Sequence, residues 1–155
     1  REALRVMLGN FEDKTKVLFD KYSLSEEGKK KVITMASLVE EEVNDMQDRR
    51  IVSGILMNRL EKNMPLQLDT TFWYLFNKGS LELTRKDLAT DSPYNLYKYK
   101  GLPPTPITNP GLNTIKAVLN PLPTKYLFFL TGGDGAVHYA ETYNEHLENR
   151  RKYIK

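Results

Sequence analysis

The chain has no cysteine, which excludes disulfides, thiolate zinc sites and a thiol nucleophile. That absence suits a cytosolic chain and a cysteine-free secreted one equally, so it assigns no compartment. No stretch approaches the ~20 consecutive apolar residues of a membrane-spanning helix. Histidine occurs only twice, and no His and carboxylate cluster shows ligand spacing, so neither a metal nor another cofactor is expected. Long runs of one charge are missing too: the net charge is +3, and no basic run exceeds Lys29-Lys30-Lys31. Such a modest excess, with both signs interspersed, makes no basic stripe; no nucleic-acid partner is expected, and the triplet reads as a solvated helix start. The sequence opens at Arg1 with no methionine or signal peptide, which raises the expectation of a segment upstream.

What is present suits one compact domain: 155 residues, 40% of them hydrophobic and 28% charged, are enough for a substantial core. Leu4, Met7, Leu8, Phe11, Val17 and Leu18 recur at helical spacing over residues 1–22, with Gly9-Asn10 a possible interruption. Ser23 and Glu26 have capping-box spacing and predict a helix running from there to about Asn44. A third helix is expected from about Gln47 to Glu61, with Asp48 in its first turn and Ile51, Val52, Ile55, Leu56 and Leu60 on its apolar face.

After Lys62 the texture changes, because all eight prolines lie beyond that point and Asn and Gly fall between them. Short elements and loops are expected there. Thr84 with Asp87 caps a short helix, and Asn109-Pro110-Gly111 turns into a helix over about 112–119. Tyr126 to Leu130, a Gly-rich turn, and Ala136 to Ala140 form a hairpin, and Thr142 with Glu145 opens a final helix. The expected class is α+β: a helix-rich first half, then a loop-rich second half with a small antiparallel hairpin and a C-terminal helix.

The segment "ITMASLVEEEV", Ile33 to Val43, places three glutamates at the end of an apolar helical pattern. At about 100° per residue, with Val32 as zero, Glu40 projects at about 80°, inside the apolar sector. Glu41 points to nearly the opposite side, and Glu42 lies at about −80°, just outside the other margin. A carboxyl in apolar surroundings holds its proton nearer neutrality and can serve as a general acid toward a glycosidic oxygen. The other reading of the same geometry is that Glu40 pairs with a base such as Arg49 or Arg59.

Several separated motifs bear on that choice. Ala36 to Glu42 ("ASLVEEE"), Asn58-Arg59-Leu60, Met64 to Thr71 ("MPLQLDTT"), Ser92 to Tyr97 ("SPYNLY"), Gly101 to Ile107 ("GLPPTPI"), Asn109-Pro110-Gly111, Tyr126 to Phe129 and Gly135 to His138 follow in order. From Ile33 to the C-terminus the chain resembles the YceG-like (MltG) family of endolytic peptidoglycan lytic transglycosylases. Thr70 stands where that family has proline, Thr105 where it has glycine, and Leu147 where asparagine is usual. The family's N-terminal membrane helix and most of its LysM-like subdomain have no counterpart in this sequence, so residues 1–155 are expected to be a single catalytic domain.

The resemblance implies non-hydrolytic cleavage of the β-1,4 bond between N-acetylmuramic acid and N-acetylglucosamine, leaving a 1,6-anhydro end. It places the catalytic acid on Glu40, which would protonate the leaving oxygen and then accept the proton of the attacking C6 hydroxyl. A single carboxyl suffices because the nucleophile is intramolecular. Gln67, Asp69, Tyr94 and Asn95 are expected to bind substrate. Glu42, Asn58, Arg59, Thr71 and His138 are expected to support the site, with Arg59 pairing Glu42 or Asp69. Trp73 and Tyr74 are expected in the core rather than as a sugar platform. Glycan strands are the implied partner, with cell-wall synthases a further one, at the outer face of a bacterial plasma membrane reached only through a segment absent here. Two rivals stand beside this reading. One is a hydrolase with Asp69 or Glu42 as second carboxylate, and the other a non-catalytic glycan-binding module.

Overall fold

A computed structural model describes residues 1–154, Leu81 by its backbone alone. The order is α1 (Glu2–Lys21), α2 (Glu26–Glu42), α3 (Met46–Glu61), α4 (Thr70–Phe76), a 3-10 turn (Ser80–Glu82), α5 (Arg85–Leu88), α6 (Leu112–Leu119), β1 (Phe128–Thr131), β2 (Val137–Ala140) and α7 (Tyr143–Tyr153). The class is α+β, with the helices first and a two-stranded antiparallel sheet near the end.

Helix α6 lies against both α2 and α3, and the core forms where the three meet. Ala36, Leu38 and Val39 from α2 pack with Val52 and Leu56 from α3 and with Ile115 and Val118 from α6. Leu66, Leu68 and Leu96 extend this core from the loop-rich half. Each fully buried aliphatic side chain contributes about 1.5–3 kcal/mol over its exposed state, so this seam is the main stabilising feature.

Helix starts follow from caps. Thr84 and Thr142 form the anticipated boxes with Asp87 and Glu145. At α2 the expectation is corrected: Ser25, in extended backbone, is the N-cap and accepts the Gly28 N–H. Ser23 lies at φ 49 in the reversal after α1 and cannot take the cap position. Gly9-Asn10 does not break α1, which runs unbroken over Glu2–Lys21. Helix α4, which the sequence pattern did not reveal, ends at Asn77 in a left-handed turn.

The hairpin pairs Phe128 with Ala140 and Thr131 with Val137. It is tied to α3 from several directions. Asn58 Nδ2 donates to the carbonyls of Thr124 and Tyr126 at 2.8 and 3.2 Å, and the Tyr139 hydroxyl donates to Asp48 at 2.6 Å. The two halves of the chain therefore share one framework, and the candidate site lies along their junction.

Candidate active site

The three glutamates at the end of α2 do occupy three environments, but the dry one is not the expected one. Glu40 accepts from Arg49 Nη2 at 3.2 Å, from the Gly111 N–H at 3.1 Å and from the Thr114 hydroxyl. Gly111 is the N-cap of α6, so this carboxyl sits at the positive end of a helix as well as beside a guanidinium. The expectation of an unpaired Glu40 in apolar surroundings is thus corrected in favour of the ion-pair reading. Arg49 also donates from Nε to the Val43 carbonyl at 3.1 Å, and the resulting link fixes the end of α2 against α3 and α6.

Glu42 is the carboxyl whose surroundings favour a proton. The residue is half-buried, yet its Oε1 is inaccessible and has no hydrogen-bond partner. Burial pushes this carboxyl up to about 7, and the nearby negative charges of Asp69 and Glu41 add to the rise. The Thr70 hydroxyl opposes part of it, although it makes no hydrogen bond of normal geometry. An unpaired buried oxygen costs least when the group is neutral. Glu41 is exposed.

The segment 67–71 closes over this end of α2. Gln67 is exposed, adopts φ 52 and donates its N–H to the Leu96 carbonyl at 2.9 Å. Asp69 accepts from the Tyr97 hydroxyl at 2.5 Å. Burial and the Asp69 carboxylate push the Tyr97 phenol well above its ordinary range, so Tyr97 remains a donor there. Thr71 is fully buried and gives its hydroxyl to the Leu68 carbonyl, which makes it a brace for the loop.

Arg59 does not pair with Glu42 or Asp69 as expected. Its guanidinium, 6% exposed, donates to the carbonyls of Leu127 at 2.6 Å, Pro65 at 3.0 Å and Leu66 at 2.8 Å, and to Gln67 Oε1 at 3.3 Å. It lies 4.9 Å from the Phe128 ring centre. The planar fork of donors matches converging carbonyls better than a point charge would. Asn58 is likewise taken up by backbone.

Asn95 also departs from its expected role. It is wholly buried, its amide donates to the carbonyls of Leu88 and Thr90, and its Oδ1 accepts from the Tyr97 and Lys98 N–H groups. No polar atom is left for a ligand. Tyr94 remains at the surface of the same loop, with its ring centre 5.1 Å from that of Tyr74 and its hydroxyl 2.7 Å from that of Thr105. His138 pairs with Asp134 at 3.0 Å and stacks on Tyr153 at 3.4 Å, contacts that belong to the hairpin turn and C-terminal helix rather than to the glutamates. Trp73 and Tyr74 are 55% and 48% exposed, so the core expectation is corrected for both.

A small cavity of about 180 Å³ is lined by Glu41, Asp69, Thr70, Trp73, Lys78, Gly79 and Ser80, and two of these, Asp69 and Thr70, also act on Glu42. A larger groove of about 770 Å³ between α1 and residues 106–112 is mostly apolar, and its lining holds one ionisable side chain, Lys14. The smaller cavity, by contrast, has two carboxyl groups and an ammonium in its lining, those of Glu41, Asp69 and Lys78. Among the described residues no His, Cys, Asp and Glu cluster could hold a metal ion. Gly111 and Thr114 were missed by sequence reasoning as partners of Glu40. The predicted turn into α6 marked a helix N-terminus that needed an anion, and that signal could have located Glu40's partner.

Over 124 residues the chain is 45% identical to the endolytic murein transglycosylase of Bacillus subtilis, covering 80% of this chain and 34% of that protein. The endolytic murein transglycosylase of Streptococcus pneumoniae D39 is 34% identical over 129 residues, covering 79% of this chain and 23% of its own length. The crystal structure of a yceG-like protein from Listeria monocytogenes superposes with a TM-score of 0.76 at 36% identity, covering 95% of this chain and 46% of that one. The chain thus spans about a third or less of the curated relatives and under half of the solved one. The profile of the YceG-like family matches residues 1–152, and with the fold and motifs above this chain belongs to the YceG-like family.

Proposed function

We propose that this chain is the catalytic unit of an endolytic murein transglycosylase, acting on peptidoglycan glycan strands in the bacterial cell envelope. The observation that carries the reading is the Glu42 carboxyl: an inaccessible, unpartnered oxygen on a group pushed up to about 7, whose neighbours Asp69 and Thr70 line an open cavity. Such a group is protonated in a large share of molecules near neutrality and can also act as a base once it has given up its proton. In the proposed reaction Glu42 donates a proton to the glycosidic oxygen between N-acetylmuramic acid and N-acetylglucosamine. The C6 hydroxyl of the muramic residue attacks its own C1, and the Glu42 carboxylate takes the hydroxyl proton. One C–O bond breaks, one forms, and no water enters.

Glu40 is assigned a positioning role, because three donors already converge on its carboxyl. Family likeness had placed the acid there, and parallel Glu40→Gln and Glu42→Gln variants separate the two. Digests of purified glycan strands are followed by mass spectrometry in 18O water. Glu42→Gln is expected to lower cleavage by about 10²–10⁴-fold, the usual contribution of a positioned general acid, and wild-type products should carry 1,6-anhydro ends without label. Full loss in Glu40→Gln with an active Glu42→Gln would return the acid to Glu40. Label in the products would favour a hydrolase using Asp69 as second carboxylate, and intact glycan in all samples a binding module. Synthase partners and a membrane anchor belong to the proposed context of the longer relatives.

A further inference from the structure

Trp73 is the chain's one tryptophan, and it projects from α4 at 55% exposure. The same helix buries Thr71 and Phe72 completely, so α4 has an inner face on the core and an outer face that carries the indole. This outer face borders the cavity that also contains Asp69 and Thr70, the two residues whose charge and hydroxyl act on Glu42. An exposed indole at the rim of a polar cavity is unusual, since large aromatics ordinarily bury their area.

The polar groups around it are arranged for hydrogen bonding. Lys78 is held by both oxygens of Asp87 at 2.9 and 2.8 Å, which orients its ammonium and neutralises it without using every N–H. Asp69 has one oxygen engaged by Tyr97. Ser80 and Glu41 complete the rim. A flat apolar face edged by a fixed donor and two carboxylates complements a pyranose, whose C–H face is apolar and whose edge carries hydroxyl and amide groups.

We infer that Trp73 is the stacking platform of a saccharide subsite next to the cleavage point, with Lys78 donating to a ring substituent and Asp69 accepting from a sugar hydroxyl. The inference rests on the glycan-cleaving reading of Glu42 and adds to it the residue that holds the ring in register with the acid.

The lone indole makes the subsite directly readable. Chitotetraose and peptide-free glycan strands are titrated into the Glu42→Gln protein while tryptophan emission and acrylamide quenching are followed. A saturable blue shift with loss of quenching is expected. In the otherwise native protein, Trp73→Ala should raise KM about tenfold, the equivalent of one lost stacking contact, with kcat within about threefold, and Trp73→Phe should recover much of the loss. Unchanged emission at saturating glycan, with KM of Trp73→Ala within twofold of the parent and Glu42→Gln inactive, overturns the subsite and leaves the acid in place. If Glu42→Gln cleaves normally while the indole is still shielded, the acid assignment falls and the subsite stands.

Discussion

Glu40 and Glu42 lie two residues apart on α2, which turns their side chains about 200° from one another, and each meets a different part of the later chain. Residues 111 and 114 bring donors to Glu40, while residues 69 and 70 bring a negative charge and a hydroxyl to Glu42. The consequence is measurable as linkage. Glu42 titrates at about 7 in the folded protein against 4.5 for an ordinary glutamate, so its folded pKa is the higher one. The folded state then binds more protons between those values, and the associated stability is present in full below about 4.5 and lost as pH rises through 7. Glu42→Gln should therefore gain stability over wild type as pH increases, by on the order of 2–3 kcal/mol between pH 4 and pH 8 at 1.36 kcal/mol per unit. Urea unfolding at the two pH values checks it, and an equal difference at both would mean that Glu42 is not held neutral. The glutamate triplet was legible in the sequence, and so was the fact that its members differ. Which of them is dry was not, because that depends on groups some 27 to 74 residues further along. Asn95 shows the same limit: an amide in a proline-flanked loop reads as a ligand contact until the backbone that surrounds it is known.

Elements followed the sequence where local chemistry decides them. The boxes at Thr84 and Thr142 and the turn into α6 rest on contacts within a few residues, and the hairpin joins two strands adjacent in the chain across one short turn. Helix α4 did not, since "TTFWYLF" is rich in residues with weak helix propensity and is held in place by the burial of Phe72. The glycines give a test of the same distinction. A Cβ on Gly54 would stand 2.4 Å from the Leu122 carbonyl oxygen, whereas one on Gly9 meets nothing within 4 Å. Alanine at an open mid-helix position gains up to about 1 kcal/mol in propensity, and overpacking against backbone costs about 1–3 kcal/mol. Gly9→Ala is accordingly expected to raise the thermal midpoint slightly, and Gly54→Ala to lower it by several degrees as α3 is forced from the 120–124 segment. Equal midpoints for the two variants would show that this approach is not tight.

At the scale of the whole molecule, the helical half and the loop-rich half are joined by polar contacts as much as by the core. Arg59 is the centre of that joint: it binds the loop that covers Glu42 through Pro65 and Leu66, and the hairpin through Leu127. Burial holds its guanidinium below the ordinary arginine range, without displacing it from the charged state at any physiological pH. Removing it by Arg59→Ala leaves these carbonyls without their donor, at about 1–3 kcal/mol for a buried polar group left unsatisfied. Arg59→Lys keeps the charge but loses the fork, because one ammonium cannot reach both segments with the same geometry. We therefore expect Arg59→Ala to lose about 3 kcal/mol or more of unfolding free energy and Arg59→Lys a smaller but clear part of it, both read from urea midpoints. The loop at 65–71 carries Asp69 and Thr70 to Glu42, so loosening it should also release the proton held there. The alkaline limb of the activity profile should then move to lower pH in Arg59→Lys, toward the ordinary carboxyl range, at a temperature where the variant is fully folded. An Arg59→Lys protein with reduced stability but an unshifted profile would show that the joint supports the fold without setting the acid.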